Sequence, residues 1–163
     1  MKTKIKSREE LIQIVRATHE KGKTVVATSG CFDILHAGHV TYLGEAASKG
    51  DVFVLLLNSD SSVRALKGNT RAIIPETERA IVIAALECVD YVCIFNELTP
   101  ESILNDIKPD VFVKGGDYRG KEIPEMKIII DYEDEKLAKV DEGVVLQKYI
   151  NNGFIELNKI KTG

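Results

Sequence analysis

The run Thr24-Val25-Val26-Ala27-Thr28-Ser29-Gly30-Cys31-Phe32-Asp33-Ile34-Leu35-His36-Ala37-Gly38-His39 decides how this chain is read. It opens with β-branched and small residues after Gly22, which marks a short buried strand over residues 24–28. It closes on two histidines, and from the second of them Val40, Leu43, Ala46 and Ala47 fall on one apolar stripe, a helix over residues 39–49 with Gly50 as its stop. Residues 52–57 then give six apolar side chains without alternation, the pattern of a strand covered on both faces in a parallel sheet. Strand, helix, strand is the resulting unit.

The same alternation extends in both directions. Upstream, Leu11, Ile12, Val15 and Thr18 recur at helical spacing over residues 7–20, and Ser7 with Glu10 has the form of a capping box. Downstream, Pro75 opens a helix through Leu86, residues 91–95 read as a strand, Thr99-Pro100 caps and starts a helix ending before Pro109, and residues 111–113 add a strand. Short connections predict right-handed crossovers and an α/β fold, a Rossmann-like doubly wound parallel sheet. After Gly120 the pattern weakens. Residues 128–130 suit a short strand, 131–141 a solvated loop or helix face, 144–150 a helix, 151–153 a turn and 154–160 a last strand. With 163 residues and no repeat or linker, residues 1–163 read as one domain.

Composition excludes several classes of function. Hydrophobic residues make up 44% and charged residues 29%, as in a globular protein, and the net charge of −3 lacks the basic excess that grips a nucleic-acid backbone. No apolar run approaches the roughly 20 residues of a membrane span, and the charged N-terminus lacks a signal-peptide stretch, so a cytoplasmic protein without membrane or nucleic-acid partners is expected. Three cysteines, Cys31, Cys88 and Cys93, without Cys-x-x-Cys spacing suggest neither a disulfide framework nor a zinc site.

In open parallel sheets ligands gather at the carboxyl ends of strands, which places the loop after the first strand at the centre of any site. A loop entering a helix N-terminus offers unpaired amides and a positive dipole end, suited to a phosphate, and Gly30 and Gly38 allow close approach. His36 and His39, three apart, put both imidazoles on one side of a helical turn, where they can donate to oxygens of one phosphate; a local cap and a surface residue is the plainer alternative. A zinc pair lacks a third ligand, since His19 lies on another helix. The turn also lacks the three-glycine fingerprint of a dinucleotide-binding dehydrogenase.

The segment from Thr28 to His39, ending in His36-Ala37-Gly38-His39, resembles the signature of the HxGH nucleotidyltransferase superfamily, and its wording is similar to that of cytidylyltransferase-like sugar- and polyol-phosphate enzymes. Asn58-Ser59-Asp60, Leu66-Lys67-Gly68 with Arg71, Glu78-Arg79 and Val113-Lys114-Gly115-Gly116-Asp117-Tyr118 follow in the order found in the adenylyltransferase domain of enzymes that make ADP-heptose. The resemblance covers about residues 24–120.

It implies direct nucleotide transfer: a sugar 1-phosphate oxygen attacks the α-phosphorus of ATP and pyrophosphate leaves. His36, His39 and Lys67 would be catalytic; Ser29, Gly30, Cys31 and Phe32 would lie along the nucleotide phosphates; and Lys114, Gly115, Gly116, Asp117 and Tyr118 would meet the nucleotide. Asp33 would face the acceptor or support the loop, Asn58 and Asp60 would lie on the acceptor side, and Arg71 and Arg79 would hold phosphate groups. Mg2+ would accompany ATP, held mainly by phosphate oxygens, so no dedicated carboxylate cage is expected. Similar enzymes are often homodimers. A cytidylyltransferase for glycerol 3-phosphate or another polyol phosphate shares these motifs, and a nucleotide-binding regulator without turnover is the alternative of another class. The resemblance further implies a Ser-Thr-Thr-like segment after the last strand; Lys161-Thr162-Gly163 stops where it would begin, which reads as a truncated or omitted tail, with natural divergence as the alternative.

Overall fold

The computed structural model describes residues 2–115, 144–150 and 153–155. After a single 3-10 turn at Lys2–Lys4, the order is α1 (Arg8–Glu20), β1 (Val25–Gly30), α2 (Ala37–Ala47), β2 (Val52–Asn58), α3 (Asp60–Lys67), α4 (Glu76–Ala84), β3 (Tyr91–Phe95), α5 (Glu101–Ile107), β4 (Val111–Gly115), β5 (Val144–Ile150) and β6 (Gly153–Ile155). They form one sheet in the order β3-β2-β1-β4-β5-β6. The first four strands are parallel; β5 runs antiparallel to β4, and β6 to β5.

Two apolar layers account for the unalternating strands. Val26, Phe53, Leu55, Leu57, Val92 and Val113 pack on one face against Leu43 and Ala46 of α2 and Ala80, Ile83 and Ala84 of α4. Val25, Ala27, Val54, Leu56, Cys93 and Phe112 pack on the other against Leu11 and Val15 of α1 and Ile103, Leu104 and Ile107 of α5. Because successive strand residues point to opposite faces, a strand flanked by helices on both sides must be apolar at every position. That is the doubly wound layering the sequence implies.

Strand register is locked at the amino-terminal rim by three aspartates. Asp51, Asp90 and Asp110 each stand just before a strand and donate their own amides to Thr24, Phe53 and Val25 carbonyls, while their carboxylates accept the amides of the same three residues at 2.7–2.8 Å. Asp110 also meets His19 Nε2 at 2.9 Å, tying α1 to the sheet.

Several expectations are corrected. Residues 144–150 form strand β5, not a helix, because they pair along the open edge of β4 from Gly115 to Val111, and the sheet is therefore mixed rather than wholly parallel. Helix α2 starts at Ala37 with His36 as N-cap, earlier than His39, and Val40 is 42% exposed, off the buried stripe of Leu43 and Ala46. Helix α3 has no counterpart in the sequence reading; Ser59 caps it by accepting the Ser62 amide, and Val63 is its one buried apolar residue. Helix α5 has Pro100, not Thr99, as N-cap and no side-chain cap bond. The readings for 128–130, 131–141 and 156–160 lie outside the described residues, as do positions 151–152 of the expected turn; Gly153 pairs with Ile150.

Candidate nucleotide-transfer site

With β2 on one side of β1 and β4 on the other, the chain changes direction along the sheet at β1, and the crevice that binds ligands in such sheets opens at the carboxyl ends of β1 and β4. The loop leaving β1 enters it. Ser29 is buried at the end of the strand, and Gly30 is held to glycine by crowding: a Cβ there would stand 2.8 Å from the Phe32 ring. Phe32 adopts φ 44°, turning the chain sharply, and its ring meets His39 edge-on at 5.5 Å between centroids.

The two histidines cap the helix reciprocally. His36 Nδ1 accepts the Gly38 amide at 3.1 Å, and the His36 amide in turn donates to His39 Nδ1 at 3.3 Å. Their rings lie 3.9 Å apart at 33°. In a ring whose Nδ1 accepts an amide hydrogen, Nε2 is the nitrogen that can donate. The capping reading and the phosphate reading of these residues are thus compatible: Nδ1 serves the helix and Nε2–H is a donor at its positive end. Gly38 fits under the His36 ring, where a Cβ would come within 2.9 Å of Cε1.

Asp33 is 6% exposed, and its carboxylate is committed within the protein: Oδ2 accepts the Ile73 amide and Oδ1 the Ile74 amide, both at 2.9 Å, with Arg71 Nη1 at 3.4 Å. Burial pushes this carboxyl's pKa up, but the two amides and the Arg71 charge outweigh it and hold the group below the ordinary aspartate value. Of the two roles expected for Asp33, supporting the loop is the one its contacts show.

Arg79 receives a different task from the phosphate contact expected of it. Its side chain is buried, Nε donates to Ile74 O at 2.8 Å, Nη1 to Cys31 O at 2.7 Å and Asn58 O at 2.8 Å, and Nη2 to Asp60 Oδ1 at 2.8 Å. The guanidinium therefore joins the loop after β1, the end of β2, the start of α3 and the segment before α4. Asn58 and Asp60 likewise face protein: Asn58 Nδ2 donates to Ser62 Oγ, and Asp60 accepts the Glu76 amide while its own amide donates to Glu76 Oε2 at 2.6 Å. This reciprocal exchange between the first residues of α3 and α4 was not legible, because sixteen positions separate two unremarkable acids.

Lys67 is exposed at the last position of α3, where Gly68 with φ 97° ends the helix. Arg71 is 41% exposed. Lys114 and Gly115 occupy the carboxyl end of β4, on the far side of the crevice from β2; Gly116, Asp117 and Tyr118 lie outside the described residues. Thr28 Oγ1 donates to Val113 O at 2.7 Å and hydrogen-bonds the Tyr42 hydroxyl, pinning α2 across β1 and β4 beneath the crevice. The Tyr42 hydroxyl was missed by the sequence reading, where Tyr42 is only one more residue of an apolar helix.

Among the described residues no group of three or more His, Cys, Asp or Glu could hold a metal ion, and the nearby carboxylates of Asp33 and Asp60 are occupied by amides and guanidinia. A groove lined by Glu97, Leu98, Glu101 and Asn105 follows the carboxyl end of β3, and its acids disfavour phosphate.

A family model described as cytidylyltransferase-like matches residues 27–153. Among curated proteins, the bifunctional protein HldE of Trichlorobacter lovleyi is 55% identical over 116 residues, covering 71% of this chain and 24% of that protein. HldE of Aliarcobacter butzleri is 51% identical over 140 residues, 85% of this chain and 29% of that protein. The chain spans about a quarter of the length of these relatives. Among solved structures, the lipopolysaccharide core biosynthesis protein from Thermoplasma volcanium GSS1 is 30% identical with a TM-score of 0.57, covering 67% of this chain and 85% of that one.

Proposed function

The chain belongs to the cytidylyltransferase-like family, and from that premise we propose that it transfers AMP from ATP to a sugar 1-phosphate, D-glycero-D-manno-heptose 1-phosphate, with release of pyrophosphate. The observation that supports this reading is the reciprocal histidine cap, which holds both imidazoles at the N-terminus of α2, at the end of the loop that leaves β1. The choice of heptose and ATP over a polyol phosphate and CTP is supported by the HldE relatives at about half identity and by the lipopolysaccharide core relative.

In the proposed reaction an acceptor phosphate oxygen forms a bond to the α-phosphorus while the bond to the β-phosphate bridging oxygen breaks, and both electrons leave with pyrophosphate. The chain's contribution is positioning and charge stabilisation. In this reading His36 and His39 donate to non-bridging phosphate oxygens, the Ser29–Phe32 backbone aligns the triphosphate, and Lys67 and Arg71 supply positive charge. Lys114, Gly115, Gly116, Asp117 and Tyr118 would line the nucleoside. Mg2+ bound to the phosphates would neutralise charge on the leaving group. By the same resemblance the protein would act as a cytoplasmic homodimer.

Pyrophosphate release from a panel of ATP, CTP and GTP with heptose 1-phosphate and glycerol 3-phosphate tests the proposal. Transfer from ATP to the heptose is expected, and replacing both histidines by alanine should lower turnover at least ~10²-fold, the scale for a lost oxyanion donor. Transfer from CTP alone, or undiminished turnover of the double variant, would overturn it.

A further inference from the structure

The two strands that frame the crevice part at a defined point. β1 pairs with β4 at Val26 with Val111, Ala27 with Phe112 and Thr28 with Val113, and there the ladder ends, although β1 runs on to Gly30 and β4 to Gly115. Beyond this fork each strand follows its outer neighbour: Ser29 and Gly30 stay on Leu56 and Leu57 of β2, and Lys114 and Gly115 on Val145 and Val144 of β5. At the fork stands a hydroxyl in an otherwise apolar run. Thr28, fully buried after Val25, Val26 and Ala27, shares the face of Val26, the side that α2 covers. Its one hydroxyl hydrogen goes to Val113 O at 2.7 Å, so the Tyr42 hydroxyl of α2 is the donor to Thr28 Oγ1, and it lies 3.4 Å from Val113 O as well.

Stability alone does not call for this pair. Valine fills the place of Thr28 and phenylalanine that of Tyr42, and replacing both members of a buried hydrogen-bonded pair by apolar groups of the same shape is close to neutral. What the hydroxyls supply is direction. Leu43 and Ala46, through which α2 packs on the sheet, make apolar contacts that tolerate small slides of the helix, whereas a hydrogen bond fixes it at one point. That point is one turn beyond His39 and within two turns of His36. We infer that Tyr42 and Thr28 are positioning residues for nucleotide transfer, which lock the helix bearing the histidine pair to the fork where β4 leaves β1. This rests on the nucleotidyl-transfer reading above and deepens it, by making the placement of the imidazoles depend on two hydroxyls outside the histidine turn. Groups that act only through the histidines affect the transition state more than the bound ground state, because the imidazoles oppose charge that grows as the reaction proceeds.

The test uses the full chain and two readouts. With ATP and heptose 1-phosphate as substrates, Tyr42→Phe, which keeps the ring, should lower kcat about tenfold and leave KM for ATP within about twofold, a fraction of the roughly 10²-fold that a 1 Å misplacement can cost. Thr28→Val should do the same, and Thr28→Ser, which restores the hydroxyl, should return kcat to within about threefold of the parent. If Thr28→Val does not fold, Tyr42→Phe still decides. The second readout needs no turnover. The chain has three histidines, and His19 stands on α1, which packs on the opposite face of the sheet. In Tyr42→Phe the imidazole carbon–proton signals of His36 and His39 should therefore shift in a nuclear magnetic resonance spectrum while that of His19 holds. An unchanged kcat, equal losses for Thr28→Ser and Thr28→Val, or imidazole signals that all stay in place would overturn the inference. Absence of pyrophosphate release by the parent with every acceptor is a separate result: it removes the transfer reading, and the imidazole signals still decide whether the hydroxyls set the histidines.

Discussion

Arg79 shows at the scale of one residue why a motif is easier to find than to interpret. The sequence marks Glu78-Arg79 as part of a recognisable series, and an arginine near a phosphate site suggests a phosphate ligand. In the fold its guanidinium has 0% side-chain exposure and satisfies three backbone carbonyls and a carboxylate from four separate segments. Removing a buried ion-pair partner leaves these acceptors unsatisfied, so Arg79→Met should cost about 3–5 kcal/mol in urea unfolding. Arg79→Lys should recover only part of it, because an ammonium cannot reproduce the planar fork. A loss under about 1 kcal/mol for Arg79→Met would show that these bonds contribute little. The histidines were legible for the opposite reason: their partners lie within three positions, inside the same turn, so spacing alone carries their geometry.

At the scale of elements, what could be read depended on whether the determinant was local. The capping box of α1 is: Ser7 accepts from the Glu10 amide and Glu10 from the Ser7 amide, four residues that announce a helix start. Strand β5 is not. Val144–Ile150 carries mixed apolar and polar residues compatible with either state, and only the open edge of β4 makes it a strand. Helix α3 escaped notice because it buries Ser62 and Val63 rather than a stripe of large apolar residues. The rim aspartates are intermediate, visible as Gly50-Asp51, Val89-Asp90 and Pro109-Asp110 before apolar runs, but with partners in other strands. They differ in a testable way. Asp90 satisfies the amide of Phe53, which is 1% exposed, whereas Asp51 serves Thr24 in a setting open to water. Asp90→Ala should therefore cost about 1–3 kcal/mol and Asp51→Ala clearly less, read as midpoint shifts in urea with unchanged slope. Equal costs would mean that register locking, not desolvation of the amide, sets the penalty.

Over the whole molecule, the sheet has an edge at β3, and Lys4, Ile5 and Lys6 lie against part of it. Ile5 bridges Val92 in parallel, the Lys6 amide donates to Val92 O at 2.8 Å, and Lys4 Nζ reaches the carbonyls of Leu86 at 3.2 Å and Val89 at 2.7 Å. Ile5 also packs on the α2 and α4 side of the core. These residues precede the family-matched span, which begins at residue 27. An exposed parallel edge would present a row of unpaired N–H and C=O groups to other chains. Removing residues 1–6 should therefore promote concentration-dependent association beyond the parent's oligomeric state, seen by sedimentation, and lower the melting midpoint by about 2–4 °C for each kcal/mol of lost contact. Turnover per folded chain should hold, because β2 separates β3 from the loop that carries His36 and His39. A truncated protein that sediments and melts like its parent would show that β3 is protected by its own short length and not by the lead that lies along it.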